Sequence, residues 1–342
     1  MTAPAPAASL RRQPRIGFLG LGWIGRHRMQ AVLEAGDATV AALADAAEAA
    51  RGEAATLAPE ATTAETLEDL LDADLDGIVI ATPSALHAAQ SLKALDAGLA
   101  VFCQKPVGRT AAEVHAVVDA AERADRLLGV DMCYRHCAAT QPIAAAIQAG
   151  ELGRVFAADL TFHNAYGPDK PWYYDRNLSG GGCLIDLGVH LVDLALWALG
   201  FPRVVQVSGR LFADGEMLAR GTDAVEDYAI ATLVTEAGTA IRIACSWNLA
   251  AGQDAVIEAA FYGTSGGMAM RNPGGGYYDF ETARMTGTAR ETIVRPPDAW
   301  GGRPVVEWAQ RLARGEGFDA EARSLVTVAE ILDRIYGRLT SP

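Results

Sequence analysis

Asp186 and His190 stand four residues apart, directly after a run of three glycines at 180–182. On a helix, residues i and i+4 share a face, so this spacing places a carboxylate one turn from an imidazole that titrates near neutral pH. Asp193 follows three residues later and falls on the same predicted face. A histidine flanked by carboxylates is a candidate general base, and the glycines would let a ligand or another backbone segment approach closely. A helix start, where the dipole favours acids, explains the same residues structurally, so this segment alone leaves both interpretations open.

A glycine-rich turn near the start of the chain supplies independent evidence of function. Residues 15–19 form a short apolar run, which leads into a Gly-x-Gly-x-x-Gly motif and then into a helical pattern. In a strand–turn–helix, the first glycine permits a tight turn, the second lets the backbone approach a pyrophosphate, and the third allows close packing of the helix. The sequence therefore predicts a dinucleotide site at Gly20, Gly22, Trp23, Ile24 and Gly25.

The next predicted strand ends in an acid, Asp45, twenty positions beyond Gly25. A carboxylate at this point can hydrogen-bond the hydroxyls of the adenosine ribose. It would also repel a 2′-phosphate, and the adjacent Ala46 and Ala47 provide no cation to bind one. The sequence therefore predicts NAD, rather than NADP, as the cofactor.

The composition sets the class of protein. With 342 residues, half of them hydrophobic, the chain can bury a large core and is expected to form two domains. Its formal net charge of −13 argues against binding to nucleic acid or to an anionic membrane. The five cysteines include no C-x-x-C pair, and Cys133, His136 and Cys137 have no second cluster of ligands. We therefore predict no metal site.

The first residues bear on location. Residues 1–14 are rich in Ala and Pro and predict a disordered leader. Arg11-Arg12 resembles a twin-arginine export signal, but cleavage at the Ala-Leu-Ala of 42–44 would destroy the nucleotide turn, so we expect a cytoplasmic protein. No apolar run approaches the roughly 18 residues of a membrane helix, so no membrane span is expected.

The first half of the chain alternates predicted strands and helices, which indicates a parallel sheet with helices on both faces. Strands are predicted at 77–82, 99–104 and 127–134, with helices at 84–97 and 110–126. Ligands bind at the carboxyl ends of such strands. A lysine there, beside a proline-fixed turn, is positioned to point over a nicotinamide, and a solvated loop lysine is the alternative. The residues at these ends are Thr82, Pro83, Gln104, Lys105, Pro106 and Arg135.

The second half has a different periodicity. After a helical segment at 142–149, five segments alternate apolar and polar residues, which predicts an antiparallel sheet with one covered face. Two helices follow, at 304–314 and 319–338. The predicted strands are 155–164, 204–212, 227–235, 239–247 and 255–262.

Together these motifs resemble one family over nearly the whole chain. The glycine turn from Gly20, the run 81–87, Lys105-Pro106 and Gly181-Gly182-x3-Asp186-x3-His190 are similar to the family of glucose–fructose oxidoreductase, inositol dehydrogenase and the rhizopine-catabolism protein MocA (Gfo/Idh/MocA). The resemblance implies a Rossmann domain at 15–136. It also implies an α/β domain at 137–342 with a large, mostly antiparallel open sheet, whose exposed face makes homodimers or homotetramers.

The same resemblance implies roles for individual residues. Lys105, Asp186 and His190 would form the catalytic set, and Arg135 and Asn164 would lie near the nicotinamide and the substrate. Thr82, Pro83, His87 and position 104 would line the cofactor. The family usually has Glu-Lys-Pro where this chain has Gln104-Lys105-Pro106. Glutamine still hydrogen-bonds, but it lacks the charge that would tune the neighbouring lysine.

The expected reaction is reversible oxidation of a secondary alcohol by NAD. His190 would take the hydroxyl proton, Lys105 would stabilise the developing alkoxide, and Asp186 would hold a substrate hydroxyl and orient the histidine. The segment 163–177 mixes aromatic rings with hydrogen-bonding groups, which favours a sugar, sugar derivative or cyclitol, although interdomain packing is an alternative. Its predicted substrate contacts are Asn164, Trp172, Tyr173 and Arg176, and Lys170 with Arg176 keeps sugar acids open.

Two other functions fit the same sequence. One is an enzyme that keeps NAD tightly bound and recycles it, giving net epimerisation, elimination or glycoside cleavage. The other is a non-catalytic NAD-sensing regulator, which the three predicted catalytic residues disfavour.

Overall fold

The computed structural model describes residues 13–219 and 222–339, which form two β-sheets with flanking helices. One sheet has six strands, and the other has nine. The predicted α/β fold class is confirmed. Residues 1–12 of the predicted leader lie outside the described residues.

The six-stranded sheet is parallel throughout and has the strand order β3-β2-β1-β4-β5-β6. Its strands are β1 (Arg15–Leu19), β2 (Thr39–Ala44), β3 (Thr62–Ala64), β4 (Gly77–Ile80), β5 (Ala100–Cys103) and β6 (Leu128–Val130). Alternate residues of β4 enter two different cores, since Ile78 and Ile80 join one hydrophobic cluster and Val79 joins the other. Both faces of the sheet are therefore covered. The strand order reverses between β1 and β4, which is where such sheets bind ligands.

The helices of this half begin and end at recognisable signals. They are α1 (Trp23–Ala35), α2 (Glu48–Leu57), α3 (Leu67–Leu71), α4 (Ser84–Asp96) and α5 (Ala111–Ala124). Gly36 ends α1 in the left-handed conformation at φ 71°. The side chain of Thr110 accepts a hydrogen bond from the Glu113 amide and caps α5. The sequence pattern did not predict α2, β3 or α3.

The nine-stranded sheet follows α6 (Gln141–Gln148). Its strands are β7 (Val155–Asn164), β8 (Val204–Ala213), β9 (Glu216–Met217), β10 (Tyr228–Thr235), β11 (Ala240–Ser246), β12 (Ala255–Gly263), β13 (Gly266–Arg271), β14 (Glu281–Thr286) and β15 (Ala289–Val294). The order is β15-β14-β13-β12-β7-β11-β10-β8-β9, and among the described residues of this sheet only the β7–β11 pairing is parallel. The five predicted strands are present, while β9 and β13–β15 were not predicted.

Helices cover one face of this second sheet. The helices of this part are α7 (Arg176–Ser179), α8 (Val189–Ala198), α9 (Arg303–Ala313) and α10 (Ser324–Tyr336). α9 is an exception, because it packs on the first sheet. Its Val305 and Trp308 belong to the same hydrophobic cluster as Ile16 and Phe18. The chain thus returns to the first sheet before it ends in α10.

The helical stretch 176–198 is long and apolar enough to cross a membrane, with a mean hydropathy of 1.4. However, 89% of the 18-residue window with this hydropathy is buried inside the protein. This stretch is therefore part of the protein core, and it carries Asp186 and His190.

Candidate active site

A cleft of about 540 Å³ opens between the two sheets at the carboxyl ends of the parallel strands. Most of the predicted site residues line it, although they come from distant parts of the sequence. These are Gly22, Trp23, Ile24, Thr82, Pro83, His87, Gln104, Lys105, Asn164, Trp172, Tyr173, Asp186 and His190. The fold thus brings the glycine turn, the lysine and the histidine to one cavity.

The geometry of the glycine turn fits a dinucleotide. Gly20 has a φ of +88°, and a Cβ atom there would lie 2.5 Å from the carbonyl carbon of Ala81. A Cβ at Gly25 would clash with the carbonyl oxygen of Gly20, whereas Gly22 faces open space. No described side chain caps the first amides of α1. The N-terminus of α1 is therefore free to bind the pyrophosphate of a cofactor.

Asp45 lies in an adjoining cavity that it shares with Gly20, Thr82 and Pro83. Its carboxylate accepts hydrogen bonds from the amides of Leu21, at 2.7 Å, and Ala47, at 2.9 Å. The acid therefore also fixes the conformation of the glycine turn.

Cations do lie near Asp45, although the adjacent sequence shows none. Arg51 donates to the backbone carbonyl of Asp45 at 2.6 Å and pairs with Glu65 at 2.9 Å. Lys93 lines the same cavity as Asp45 and pairs with Glu68 at 2.5 Å. Both cations thus form ion pairs with acidic side chains, and both pairs are accessible to solvent.

Lys105 forms an ion pair with Asp186 inside the cleft. Its Nζ donates to Asp186 Oδ1 at 2.7 Å and to the Asp186 backbone carbonyl at 2.8 Å. Trp247 Nε1 donates to the other carboxylate oxygen at 3.1 Å. Burial on its own would lower the pKa of Lys105, but Asp186 and Tyr173 outweigh this effect and raise it above the usual value. The lysine is therefore a charged group held in a fixed position.

His190 is buried, with 7% of its surface exposed, and its ring meets the ring of Tyr134 edge-on at 5.1 Å. Its Nδ1 has no hydrogen-bond partner in the described part of the chain. Burial, and secondarily the charges of Lys105 and Arg28, hold the pKa of His190 well below its usual value. The imidazole is therefore neutral at neutral pH and can accept a proton.

The predicted arrangement of a histidine flanked by carboxylates is not what the structure has. Leu184–Gly188 is a π-helical turn, and α8 begins after it, so Asp186 and His190 do not lie on one regular helix. The Asp186 carboxylate is bound by Lys105 and Trp247, and the Asp193 carboxylate is bound by Arg135. Asp186 and Asp193 thus pair with cations that are distant in the sequence rather than with His190.

Two predicted residues point away from the cleft. Arg135 binds Asp193 through two hydrogen bonds of 2.8 and 2.5 Å and lies over the ring of Phe201, beside a different cavity. Arg176 donates to the carbonyl of Thr222 and lies over the ring of Tyr336. Each guanidinium has found an acceptor and an aromatic face in the second domain. Neither side chain lines the cleft, and their contacts with cofactor or substrate stay predictions.

His87 lines the cleft but has both ring nitrogens close to backbone carbonyls. Nε2 lies 2.6 Å from the Thr82 oxygen, and Nδ1 lies 2.7 Å from the Pro106 oxygen. Burial lowers its pKa. His87 therefore joins the Thr82-Pro83 turn to the Lys105-Pro106 turn and positions both.

Glu226 shapes the glycine run, although no local pattern marked it. Its buried Oε1 accepts hydrogen bonds from the amides of Gly182, at 2.9 Å, and Leu184, at 3.0 Å, and from the hydroxyl of Tyr336, at 2.7 Å. A Cβ at Gly182 would clash with the Glu226 carbonyl. The glycines thus permit close approach of another backbone segment, one of the alternatives that their sequence left open.

An aromatic wall borders the lysine. The rings of Trp172 and Tyr173 stack with centroids 3.8 Å apart, and Tyr173 meets Trp247 edge-on at 6.2 Å. Burial, followed by the charge of Asp186, raises the pKa of Tyr173 to about 12. The Asn164 Oδ1 is buried nearby in the cleft lining without a partner among the described residues. The cleft thus combines apolar ring faces with hydrogen-bonding groups.

Comparisons with known proteins decide the family. Residues 14–132 match the oxidoreductase family with an NAD-binding Rossmann fold, and residues 140–269 match the GFO/IDH/MocA C-terminal domain. Inositol 2-dehydrogenase of Rhizobium meliloti (strain 1021) is 30% identical over 260 residues, which cover 75% of this chain and 76% of the relative. The chain belongs to the Gfo/Idh/MocA family of oxidoreductases. The predicted resemblance is confirmed.

Other members are similar over different extents. D-glucoside 3-dehydrogenase of Escherichia coli (strain K12) is 28% identical over 211 residues, and the match spans 59% of this chain and 60% of that relative. The solved structure of levoglucosan dehydrogenase in complex with NADH and L-sorbose superimposes with a TM-score of 0.80 at 21% identity. That superposition covers 95% of this Gfo/Idh/MocA chain and 96% of the other, so the two share one fold.

Proposed function

We propose that this protein is an NAD-dependent dehydrogenase that oxidises a secondary alcohol of a sugar, sugar derivative or cyclitol. The observation that carries the proposal is that a charged lysine and a buried neutral histidine line the cleft that begins at the glycine turn. When bound, the cofactor supplies the hydride acceptor. The residues of the chain must then move a proton and stabilise charge.

His190 is the proposed proton acceptor. An imidazole with a lowered pKa is unprotonated at neutral pH, so it can take the hydroxyl proton as the alcohol is oxidised. Its ring is held edge-on by Tyr134 in a buried site, which limits its rotation. In the reverse direction, the same ring would return the proton to the carbonyl oxygen.

Lys105 is the proposed stabiliser of negative charge on the substrate oxygen. Asp186 fixes the ammonium through two acceptors, and an ammonium has three donors, so one N–H remains for the substrate. A preorganised charge of this kind requires little rearrangement as the oxygen becomes anionic. Asp186 is thus proposed to act on Lys105 rather than to orient His190.

The aromatic wall supports a sugar or cyclitol as substrate. Trp172 and Tyr173 offer ring surface to C–H groups, while Asn164 and Asp186 offer oxygens to hydroxyls. Arg176 is turned away from the cleft, and Lys170, which lines the cleft, is exposed and paired with Asp169 at 3.0 Å. This arrangement disfavours a phosphate group. The named relatives, which include dehydrogenases of glucosides, inositol and levoglucosan, support the same class.

A substrate screen tests the proposed function. Formation of NADH would be followed by absorbance with aldoses, cyclitols, glycosides, uronic acids, sugar phosphates and simple 2-hydroxy acids. We expect turnover with a non-phosphorylated sugar or cyclitol. Activity confined to phosphorylated substrates or to non-sugar alcohols would contradict the proposal. NAD that stays bound through gel filtration, with no net NADH, would favour the enzyme that recycles its cofactor.

The cofactor preference gives a separate prediction. Because Asp45 lines the adjoining cavity and Arg51 and Lys93 are paired with acids, kcat/KM should strongly favour NAD over NADP. Asp45→Ser combined with Ala46→Arg should narrow or reverse that ratio, because it replaces a repulsive group with a cation. Steady-state kinetics with both cofactors measure the effect.

Asp96→Ser, an exposed acid at the end of α4, serves as the matched control and should leave the ratio unchanged. Since Asp45 also holds the Leu21 amide, thermal unfolding of the double variant must be recorded alongside. An unmodified enzyme that prefers NADP would refute the role of Asp45.

The open face of the nine-stranded sheet is the proposed surface for a homodimer or homotetramer. Exposed apolar side chains on its strands include Ile230 and Tyr262, whose neighbours Ala229, Ala231 and Phe261 are buried on the opposite face. Pairing of two such faces would cover them. The protein is proposed to act in the cytoplasm.

A further inference from the structure

A buried cluster of three polar residues lines the cleft next to Lys105, on the side where the proposed function puts the nicotinamide. Arg28 of α1 donates from Nε to Asp131 Oδ2 at 2.6 Å, and Gln104 Nε2 donates to the same oxygen at 2.6 Å. All three side chains line the cleft, and Asp131 has only 1% of its surface exposed. The cluster combines the ends of β5 and β6 with the first helix. None of its members takes or gives the proton in the transfer proposed above.

The second carboxylate oxygen, Asp131 Oδ1, is unused. It is buried and has no hydrogen-bond partner among residues 13–219 and 222–339. A buried carboxylate oxygen without a donor is costly, and such atoms in native proteins call for an explanation, such as a ligand. Because Asp131 is in the wall of the cleft, a donor on a molecule bound there would satisfy it.

The side chain of residue 104 determines whether a carboxylate is tolerated on residue 131. The amide Nε2 of Gln104 lies 2.6 Å from the Asp131 carboxylate, so a glutamate at position 104 would place a second carboxylate at this distance. Two carboxylates at this distance would repel each other, whereas the amide donates a hydrogen bond. The cluster thus contains one carboxylate, on Asp131, which accepts from both the amide of Gln104 and the guanidinium of Arg28.

We propose that Asp131 is a cofactor-binding residue, held by Arg28 and Gln104, whose Oδ1 accepts a hydrogen bond from a donor at the nicotinamide end of the cofactor. The donor is either a hydroxyl of the nicotinamide ribose or the carboxamide N–H. This inference rests on the proposed function in requiring that the cleft binds NAD. It assigns to Asp131 a role that the motifs of the sequence do not mark.

Calorimetric binding of NAD and ADP to the full-length chain tests the role of Asp131 without relying on turnover. Arg28→Met/Asp131→Leu removes the acceptor and leaves no buried unpaired charge. We expect this variant to raise the Kd of NAD about tenfold or more, because a charge-assisted hydrogen bond is lost. The Kd of ADP, which lacks the nicotinamide ribose and the carboxamide, should stay within about twofold.

An unchanged Kd for NAD in this folded variant would overturn the inference. A parallel rise in the Kd of ADP would also overturn it, since it would indicate general damage to the nucleotide site. If the unmodified protein bound neither NAD nor ADP, the proposed function itself would fail. Thermal unfolding establishes that each variant is folded.

Exchanging the acid and the amide between residues 104 and 131 provides a second test. Gln104→Glu alone should weaken NAD binding, because it adds a carboxylate beside Asp131. Gln104→Glu/Asp131→Asn restores one carboxylate and one amide around Arg28, and its Kd for NAD should return to within about threefold of the unmodified protein. A double variant that binds NAD as weakly as the single variant, or more weakly, would contradict the requirement for one carboxylate and one amide around Arg28.

A cofactor analogue identifies the donor. In 3-acetylpyridine adenine dinucleotide, an acetyl group replaces the carboxamide, so the N–H is absent and the ribose is intact. If the ribose donates, Arg28→Met/Asp131→Leu should weaken binding of the analogue and of NAD equally. If the carboxamide donates, the variant should weaken binding of NAD alone. Weakening of the analogue alone would contradict both forms of the proposal.

Discussion

Lys105→Met is expected to lower kcat for alcohol oxidation by about 10² to 10³, the range found when one preorganised donor to a developing oxyanion is removed. Methionine keeps the length of the side chain but has neither charge nor donor. The loss should be in kcat rather than in cofactor affinity, because the Nζ is held by Asp186 and not by the glycine turn. Steady-state and pre-steady-state formation of NADH measure it.

Lys105→Arg separates charge from geometry. It retains a cation, but its planar guanidinium is larger and donates in fixed directions, so it should recover only part of the lost rate. Circular dichroism and the Kd of NAD should be close to those of the unmodified protein for both variants. Near-normal turnover of Lys105→Met would remove this residue from the mechanism.

His190→Asn is expected to lower kcat by about 10² or more, since it removes the proposed general base. Asparagine is polar and of similar reach but cannot take up a proton at neutral pH. His115→Asn is the matched control, because His115 lies at the surface of α5 beside Glu330, and it should leave kcat unchanged. A His190→Asn enzyme that turns over normally would exclude the histidine as the base.

The pH dependence gives His190 a second readout. Because its pKa is held below the usual value of 6.5, the ring stays neutral as the pH falls from neutral to below 6.5. Oxidation by the unmodified enzyme should therefore persist through pH 6.5 and decline only as the pH drops through the lowered pKa. His190→Asn should lose this acidic limb. A limb that persists in the variant would assign the titration to another group.

Several features of the fold follow directly from local sequence. The apolar run that forms β4 is buried on both faces, as its lack of alternation predicts. Alternating segments such as 155–164 form strands with one covered face, in the predicted places. By contrast, β15 is an edge strand with mostly exposed residues, and its sequence carries little periodicity. This strand forms because it pairs with β14, and the sequence of the segment itself does not specify that pairing.

The glycine turn and the alternation of strands and helices were determined by the sequence itself, because backbone freedom and hydrophobic periodicity act over a few residues. The partners of the charged side chains were decided by the tertiary structure. Lys105 meets Asp186 across 81 positions, Arg28 meets Asp131 across 103, and Arg135 leaves the cleft for Asp193 across 58. A charge that is buried must find an opposite charge or a hydrogen-bonding group, wherever the fold places one. Spacing within one helix therefore suggested Asp186 as the partner of His190, whereas in the folded chain Asp186 pairs with Lys105.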